Sequence, residues 1–178
     1  HGEQYDSPAE KRVYYFEDQR SYHTLKTGWV HDEGHWYYLQ KDSGFDARID
    51  SLMVGELVRG WTNDNSTWYY LDPITATMQT GWKQLGNKWY YFRSSGAMAT
   101  GWYQEGSTWY YLDAENGDMK TGWQYLGNKW YYLRSSGAMA TGWFQVNGKW
   151  HYAYSSGALA VNTTVDGYYV NYNGEWVQ

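Results

Sequence analysis

Twelve of the 13 tryptophans in this 178-residue chain stand in pairs seven residues apart: Trp29 and Trp36, Trp61 and Trp68, Trp82 and Trp89, Trp102 and Trp109, Trp123 and Trp130, Trp143 and Trp150. The first of each pair follows a glycine, and the second opens Trp-Tyr-Tyr or, at Trp150, Trp-His-Tyr. Ring faces repeated at fixed spacing suit one kind of chemistry above others, the enclosure of a cation that cannot donate a hydrogen bond. A quaternary ammonium spreads its charge over methyl groups; ring quadrupoles attract it and ring surfaces bury the methyls. The guest that fits is a trimethylammonium head of the choline type, held by rings without a fixed counter-charge. Three rings at about 0.5–2 kcal/mol each give about millimolar affinity at one site. Weak single sites suit a polymeric ligand that presents many such heads, because multivalency raises avidity by orders of magnitude.

Side chains alternate across a strand, so Trp89 and Tyr91 share a face while Tyr90 points to the other. Two tryptophans of one unit and a same-face tyrosine of the next would make three walls, with Met98 from the connecting link as a floor. The middle tyrosines Tyr69, Tyr90, Tyr110 and Tyr131 read instead as a hydrophobic spine. Cross-strand aromatic pairs also stabilise hairpins with no ligand at all. Packing alone would admit Leu, Ile or Val in some copies, whereas both positions are Trp in all six pairs.

The elements that must position these rings follow from the repeat. From Trp61 onward the first tryptophans recur after 21, 20, 21 and 20 residues, and residues 81–100 and 122–141 agree at 17 of 20 positions. Each unit reads as a β-hairpin. Asn147-Gly148 lies between the strand-prone runs Gly142–Val146 and Lys149–Tyr152, and both positions of such a turn need φ > 0. Gly86-Asn87, Glu105-Gly106 and Gly127-Asn128 occupy the same place. A lone hairpin is marginal in water, so the units must stack. The fold expected is therefore all-β, a solenoid of stacked β-hairpins with a C-terminal cap. Residues 1–26 read as a degenerate half-repeat in which Val13-Tyr14-Tyr15-Phe16 is a second strand and Asp6 stands where a Gly-Trp tryptophan belongs. Residues 27–160 carry the repeats, and 161–178 the cap, with turns at Asp166-Gly167 and Asn173-Gly174. A longer link at 40–60 places Ile49, Leu52, Met53, Leu57 and Val58 near helical spacing, which predicts a short helix.

Composition narrows the function. Aromatics make up 21% of residues, with 13 Trp, 21 Tyr and 4 Phe, at a mean hydropathy of −0.83. Rings with polar edges suit half-wet surfaces. A net charge of −5 gives no basic footprint for nucleic acid. The absence of cysteine excludes disulfides and thiolate metal sites. No apolar run reaches the roughly 18 residues of a membrane span, and a chain opening at His1 reads as a mature form or an excised fragment. No catalytic set, metal site or cofactor motif emerges. His31 and His35 lie across a turn, and Asp113–Asp118 faintly resembles a calcium loop but lacks its terminal bidentate Glu. Carboxylates are scattered through turns, giving a glycosidase pair no home. Asn65-Ser66-Thr67 matches a glycosylation sequon, a weak signal.

Units of the form Gly-Trp-x5-Lys/Thr-Trp-Tyr-Tyr-Leu/Phe, followed by Gly-x-Met-x-Thr, resemble the choline-binding repeats of pneumococcal and phage surface proteins and murein hydrolases. The stretches Ala158–Tyr168 and Asn173–Val177 resemble the carboxy-terminal end of several such proteins. The resemblance runs over 60–178 and 27–39 and fades before residue 13 and in 40–59. It implies a secreted module at the bacterial cell surface that binds phosphocholine of teichoic and lipoteichoic acids, is not an enzyme, and admits choline-dependent self-association. It also implies sites between consecutive repeats. These would comprise Trp82, Trp89, Met98 and Tyr111; Trp102, Trp109, Met119 and Tyr132; Trp123, Trp130, Met139 and Tyr152; and Trp61, Trp68, Met78 and Tyr91. Trp143 and Trp150 have Leu159 in place of Met and no standard repeat after them, and Trp29 and Trp36 are separated from Tyr70 by the long link. The alternatives are a glucan-binding repeat domain, the targeting arm of a hydrolase or adhesin, and an adhesin contacting its host through 40–59.

Overall fold

A computed structural model describes residues 26–41 and 55–178. Among these residues every strand belongs to a two-stranded antiparallel hairpin, and none is helical. Hairpin 1 joins β1 (Gly28–Asp32) to β2 (His35–Leu39), hairpin 2 joins β3 (Gly60–Asp64) to β4 (Thr67–Leu71), and hairpin 3 joins β5 (Gly81–Leu85) to β6 (Lys88–Phe92). Hairpin 4 is β7 (Gly101–Glu105) with β8 (Thr108–Leu112), hairpin 5 is β9 (Gly122–Leu126) with β10 (Lys129–Leu133), and hairpin 6 is β11 (Gly142–Val146) with β12 (Lys149–Ala153). A seventh, shorter hairpin, β13 (Thr163–Val165) with β14 (Tyr168–Val170), lies in the stretch expected to be a cap.

The tight turns are those the dipeptides dictate. Asn147 and Gly148 adopt φ of 49° and 79°, and Gly127 and Asn128 adopt 54° and 64°. One turn is shifted from expectation. Glu105 ends β7, and the turn is Gly106-Ser107. Glu105 is thus a strand side chain with a defined face.

Each hairpin alone has little to bury. In six of the seven the second strand closes on one large, fully buried residue, Leu39, Leu71, Phe92, Leu112, Leu133 or Val170, and in hairpin 6 on Ala153. Burying such a side chain contributes about 1.5–3 kcal/mol. That residue bridges to the following link, pairing Leu71 with Met78, Phe92 with Met98, Leu112 with Met119 and Leu133 with Met139. The link residue then donates its N–H to the carbonyl of the preceding hairpin's second tryptophan. Met119 donates to Trp89, Met139 to Trp109 and Met98 to Trp68, each at 2.8 Å. One link therefore ties two hairpins together, which is how units that cannot stand alone become a repeat fold.

The described residues fall into two compact units, one holding those up to Gly81 with Phe92–Met98, the other Trp82–Tyr91 with Ala99–Gln178. In the first, Tyr38, Val58 and Leu71 form a core flanked by Trp29, Tyr69 and Met78. In the second, Ala140, Phe144 and Ala153 do so, flanked by Trp123, Tyr132, Val146 and Leu159.

The helix expected in 40–60 is not what its described end shows. Leu57 forms an antiparallel bridge with Leu39, and Val58 N–H donates to Tyr38 O at 2.8 Å. Leu57 serves as the link residue of hairpin 1. Ile49, Leu52 and Met53 lie outside the described residues, as do Asp6 and Val13–Phe16.

Candidate functional site

In the hairpins that carry a tryptophan pair, the two tryptophans share a face. Trp102 pairs with Tyr111 across the strands and Gln104 with Trp109, so Trp102, Tyr111 and Trp109 look the same way while Tyr103 and Tyr110 look the other. Trp102 and Trp109 stand nearly perpendicular, at 84° with centroids 6.4 Å apart, and Trp123 and Trp130 repeat this at 87° and 6.4 Å. Trp61 and Trp68 do so at 86° and 6.3 Å. Two rings at right angles make a corner in which a cation meets both faces within about 6 Å.

The next hairpin supplies the third ring. Trp102 meets Tyr131 at 4.9 Å, Trp82 meets Tyr110 at 5.0 Å and Trp29 meets Tyr69 at 4.6 Å. Trp123 meets His151 at 5.0 Å, and Trp143 meets Tyr168 at 5.8 Å. Tyr69, Tyr110 and Tyr131 are middle positions that the sequence assigned to a spine. Of the tyrosines expected as third walls, Tyr111 lies against Trp102 of its own hairpin at 5.1 Å, Tyr132 against Trp123 at 5.0 Å, Tyr152 against Trp143 at 5.2 Å and Tyr91 against Trp82 at 5.3 Å. The reason is strand alternation. Tyr111 shares a face with Trp109, so it turns toward hairpin 5, and Tyr110 is the residue turned back toward Trp82.

The link bonds join the backbone of Met78 to that of Trp36, Met98 to Trp68, Met119 to Trp89 and Met139 to Trp109, each at 2.8 Å. Leu159 N–H reaches Trp130 O at 2.9 Å, and Trp176 N–H reaches Trp150 O at 2.8 Å. Leu57 and Trp176 thus occupy the link position in hairpins 1 and 7. The signal was present in the sequence, because Gly55-Glu56-Leu57 and Gly174-Glu175-Trp176 match the Gly-x-Met spacing. Around Trp61 and Trp68, Met98 lies in the same unit, whereas Tyr91 belongs to the other.

The corners are open. The second tryptophan of every pair, from Trp36 to Trp150, is 38–46% exposed. Beside Trp123 and Trp130 lies a cavity of about 460 Å³ whose lining includes Val146, His151, Leu159 and Tyr172.

Charge enters where none was expected. Trp29 Nε1–H donates to Asp64 Oδ2 at 3.1 Å, Trp82 Nε1–H to Glu105 Oε2 at 3.3 Å and Trp143 Nε1–H to Asp166 Oδ2 at 3.1 Å. Asp64 also accepts from Lys41 Nζ at 2.7 Å and from Tyr38 Oη at 3.1 Å. The Lys41 ammonium foremost holds the Asp64 carboxyl below the usual carboxylate range. The calcium-like segment is a turn. Asp113 Oδ1 accepts the N–H groups of Asn116 and Glu115, and these together with Lys120 hold its carboxyl well below the usual range. Among the described residues no three His, Asp or Glu side chains group as metal ligands would.

Repeated hairpins whose paired tryptophans make open aromatic corners define an aromatic hairpin-repeat module. The chain belongs to the choline-binding repeat family. The choline-binding repeat profile matches residues 79–122 and 120–163, and the putative cell wall binding repeat matches 27–44 and 60–73. The chain is 64% identical to CbpJ of Streptococcus pneumoniae TIGR4, covering 92% of this chain and 61% of that one at a TM-score of 0.65. It is 59% identical to choline binding protein F of Streptococcus pneumoniae, solved in the presence of a peptidoglycan analogue, covering 99% of this chain and 65% of that one at a TM-score of 0.67. With the modular autolysin LytC of the same organism identity is 27%, over 99% of this chain and 42% of that one, at a TM-score of 0.59. The chain therefore spans less than two thirds of the length of each. No curated protein matches it.

Proposed function

We propose that this chain attaches non-covalently to the choline of teichoic and lipoteichoic acids in a Gram-positive cell wall, as a secreted binding module without catalysis of its own. The observation that carries this reading is the exposure of the second tryptophan in all six pairs, at 38–46%, with Trp68, Trp109 and Trp130 each at right angles to the first tryptophan of its hairpin. A residue kept only for packing would be buried, because a large ring stabilises in proportion to the area it removes from water. Likeness to choline binding protein F supports the same ligand class. Choline sits at the corner with its methyls against two indoles, and the ring of the next hairpin covers it. Each cup binds weakly, and several cups on one polymer bind firmly.

Calorimetric titration of the chain with choline, with glucose oligomers as control, tests the reading. Saturable heat with choline and none with the sugar is expected; the reverse rejects it in favour of a glucan-binding domain. Trp109→Ala removes one ring worth about 0.5–2 kcal/mol, so its cup should weaken several-fold. Because Trp109 is already 38% exposed, the remaining hairpins should keep their circular dichroism.

A further inference from the structure

At four of the corners the ring brought by the next hairpin is a tyrosine: Tyr69 against Trp29, Tyr110 against Trp82, Tyr131 against Trp102 and Tyr168 against Trp143. At the Trp123–Trp130 corner it is His151, whose ring stands at 70° to that of Trp123. His151 is 5% exposed and lines the same cavity as both tryptophans. A phenol takes up no proton near neutrality, whereas an imidazole is the side chain that changes charge there. Position 151 therefore puts a switchable positive charge in the wall of a site suited to a cation.

The charged groups that share this cavity are Lys149 and Glu175, and they are tied to each other, Nζ to Oε1, at 2.7 Å. The strands β9 and β11, whose Trp123 and Phe144 rings pack on the imidazole, carry no charged residue. Burial foremost opposes a proton on His151; the Gly174 carbonyl and Glu175 favour it, and Lys149 opposes it. The Lys149 ammonium foremost holds the Glu175 carboxyl below its ordinary range, so Glu175 stays ionised down to about pH 5. Nδ1 donates to Gly174 O in the neutral and in the charged ring alike, so protonation adds charge without turning the imidazole.

We propose that the Trp123–Trp130 cup is gated by pH: a proton on His151 and a quaternary ammonium in the cup disfavour one another, so acid weakens this cup while those walled by tyrosine keep their guest. The inference rests on the choline reading of the cups. Two like charges in one cavity repel, and water reaching an open corner lessens that repulsion without removing it. By linkage, each lowers the other's affinity by the same factor. Choline affinity at this cup is therefore full above the His151 titration and declines as pH falls through it. It levels off once the ring is charged in the free and the bound chain. Burial holds the imidazole below its ordinary 6.5, which puts the change on the acid side of neutrality. A chain held on a polymer through several cups would release one attachment on acidification and keep the others.

Indole ¹⁵N–H resonances of the whole chain read each cup separately, with Trp123 and Trp102 assigned from Trp123→Phe and Trp102→Phe. Choline chloride is titrated at about pH 7.5 and about pH 5, at constant ionic strength. The half-saturating concentration read at Trp123 should rise about three- to tenfold at the lower pH, whereas at Trp102, walled by Tyr131, it should change by less than about twofold. His151→Tyr should bring the ratio at Trp123 down to that at Trp102, whatever the variant's absolute affinity. In the parent chain, saturating choline should lower the His151 titration midpoint, followed through its imidazole resonances, by about 0.5–1 pH. That measurement decides the matter even if the variant does not fold. Equal half-saturation at Trp123 at both pH values, a rise that persists in His151→Tyr, or a His151 midpoint indifferent to choline overturns the proposal while choline saturation still stands. Indoles of a folded chain that ignore choline at both pH values overturn the choline reading, and the proposal with it.

Discussion

At position 151 the middle tyrosine of the repeat is replaced by histidine, and the ring is buried between Trp123 at 5.0 Å and Phe144 at 5.6 Å. Nδ1 lies 3.0 Å from Gly174 O, so in the neutral ring this nitrogen carries the proton and donates it. Burial pushes the imidazole pKa below its ordinary 6.5, outweighing the upward pull of the Gly174 carbonyl and Glu175, and Lys149 adds to the fall. The sign follows from linkage. The unfolded chain takes up this proton more readily than the folded one, so stability is complete above the unfolded pKa and declines as pH drops through it. Urea midpoints should therefore fall between about pH 7.5 and pH 5, and His151→Tyr should shrink the fall relative to the parent chain. An unchanged pH dependence in the variant would show that His151 is not the group responsible. Sequence made this substitution plain, but nothing in it told that position 151 is a cup wall.

At the level of the repeat element, the Gly-x-Met link owes its glycine to a neighbouring methionine. A Cβ on Gly137 would lie 2.3 Å from Met119 Sδ, and the backbone there has φ of +84°. Gly157 stands in the same relation to Met139. The glycine of one link is thus the seat of the previous link's methionine. Gly137→Ala should destabilise by about 2 kcal/mol or more, combining backbone strain with the displaced side chain. Gly106, with φ of +59° and open space around it, isolates the strain alone, so Gly106→Ala should cost about 1 kcal/mol. Denaturation midpoints of the two variants decide this. Equal losses would mean that the Met119 packing does not matter.

Across the larger of the two units, hairpins lean on their sequence neighbours through link bonds and ring contacts, so stability is passed along the chain rather than pooled in one core. The segment 161–178 covers hairpin 6 in this way. Trp176 N–H bonds to Trp150 O at 2.8 Å, Trp143 to Asp166 at 3.1 Å and His151 to Gly174 at 3.0 Å. Removing 161–178 should strip amide-exchange protection from Gly142–Ala153 first, while Gly101–Leu112 keeps most of its own. Loss of protection throughout the unit would instead indicate a single cooperative core. Choline would restore little to hairpin 6 in the truncated chain, because the Tyr168 wall is gone with the segment.

The repeat, the hairpins, their turns and the paired tryptophans were all legible in the sequence, because each is a local matter: Gly-Trp spacing, Asn-Gly turn chemistry and period-two alternation act within a dozen residues. The sequence also led to the ligand class proposed above, since only the ring faces needed counting. What tertiary structure decided was who faces whom. It turned Tyr110, Tyr131 and His151 rather than Tyr111, Tyr132 and Tyr152 toward the preceding tryptophans, bonded the backbone of Met119 rather than Met98 to that of Trp89, and brought Glu105 to the Trp82 indole. Alternation says that two residues lie on opposite faces; which face meets the earlier hairpin depends on the hand in which units stack, and that is set by residues some twenty positions apart in the chain.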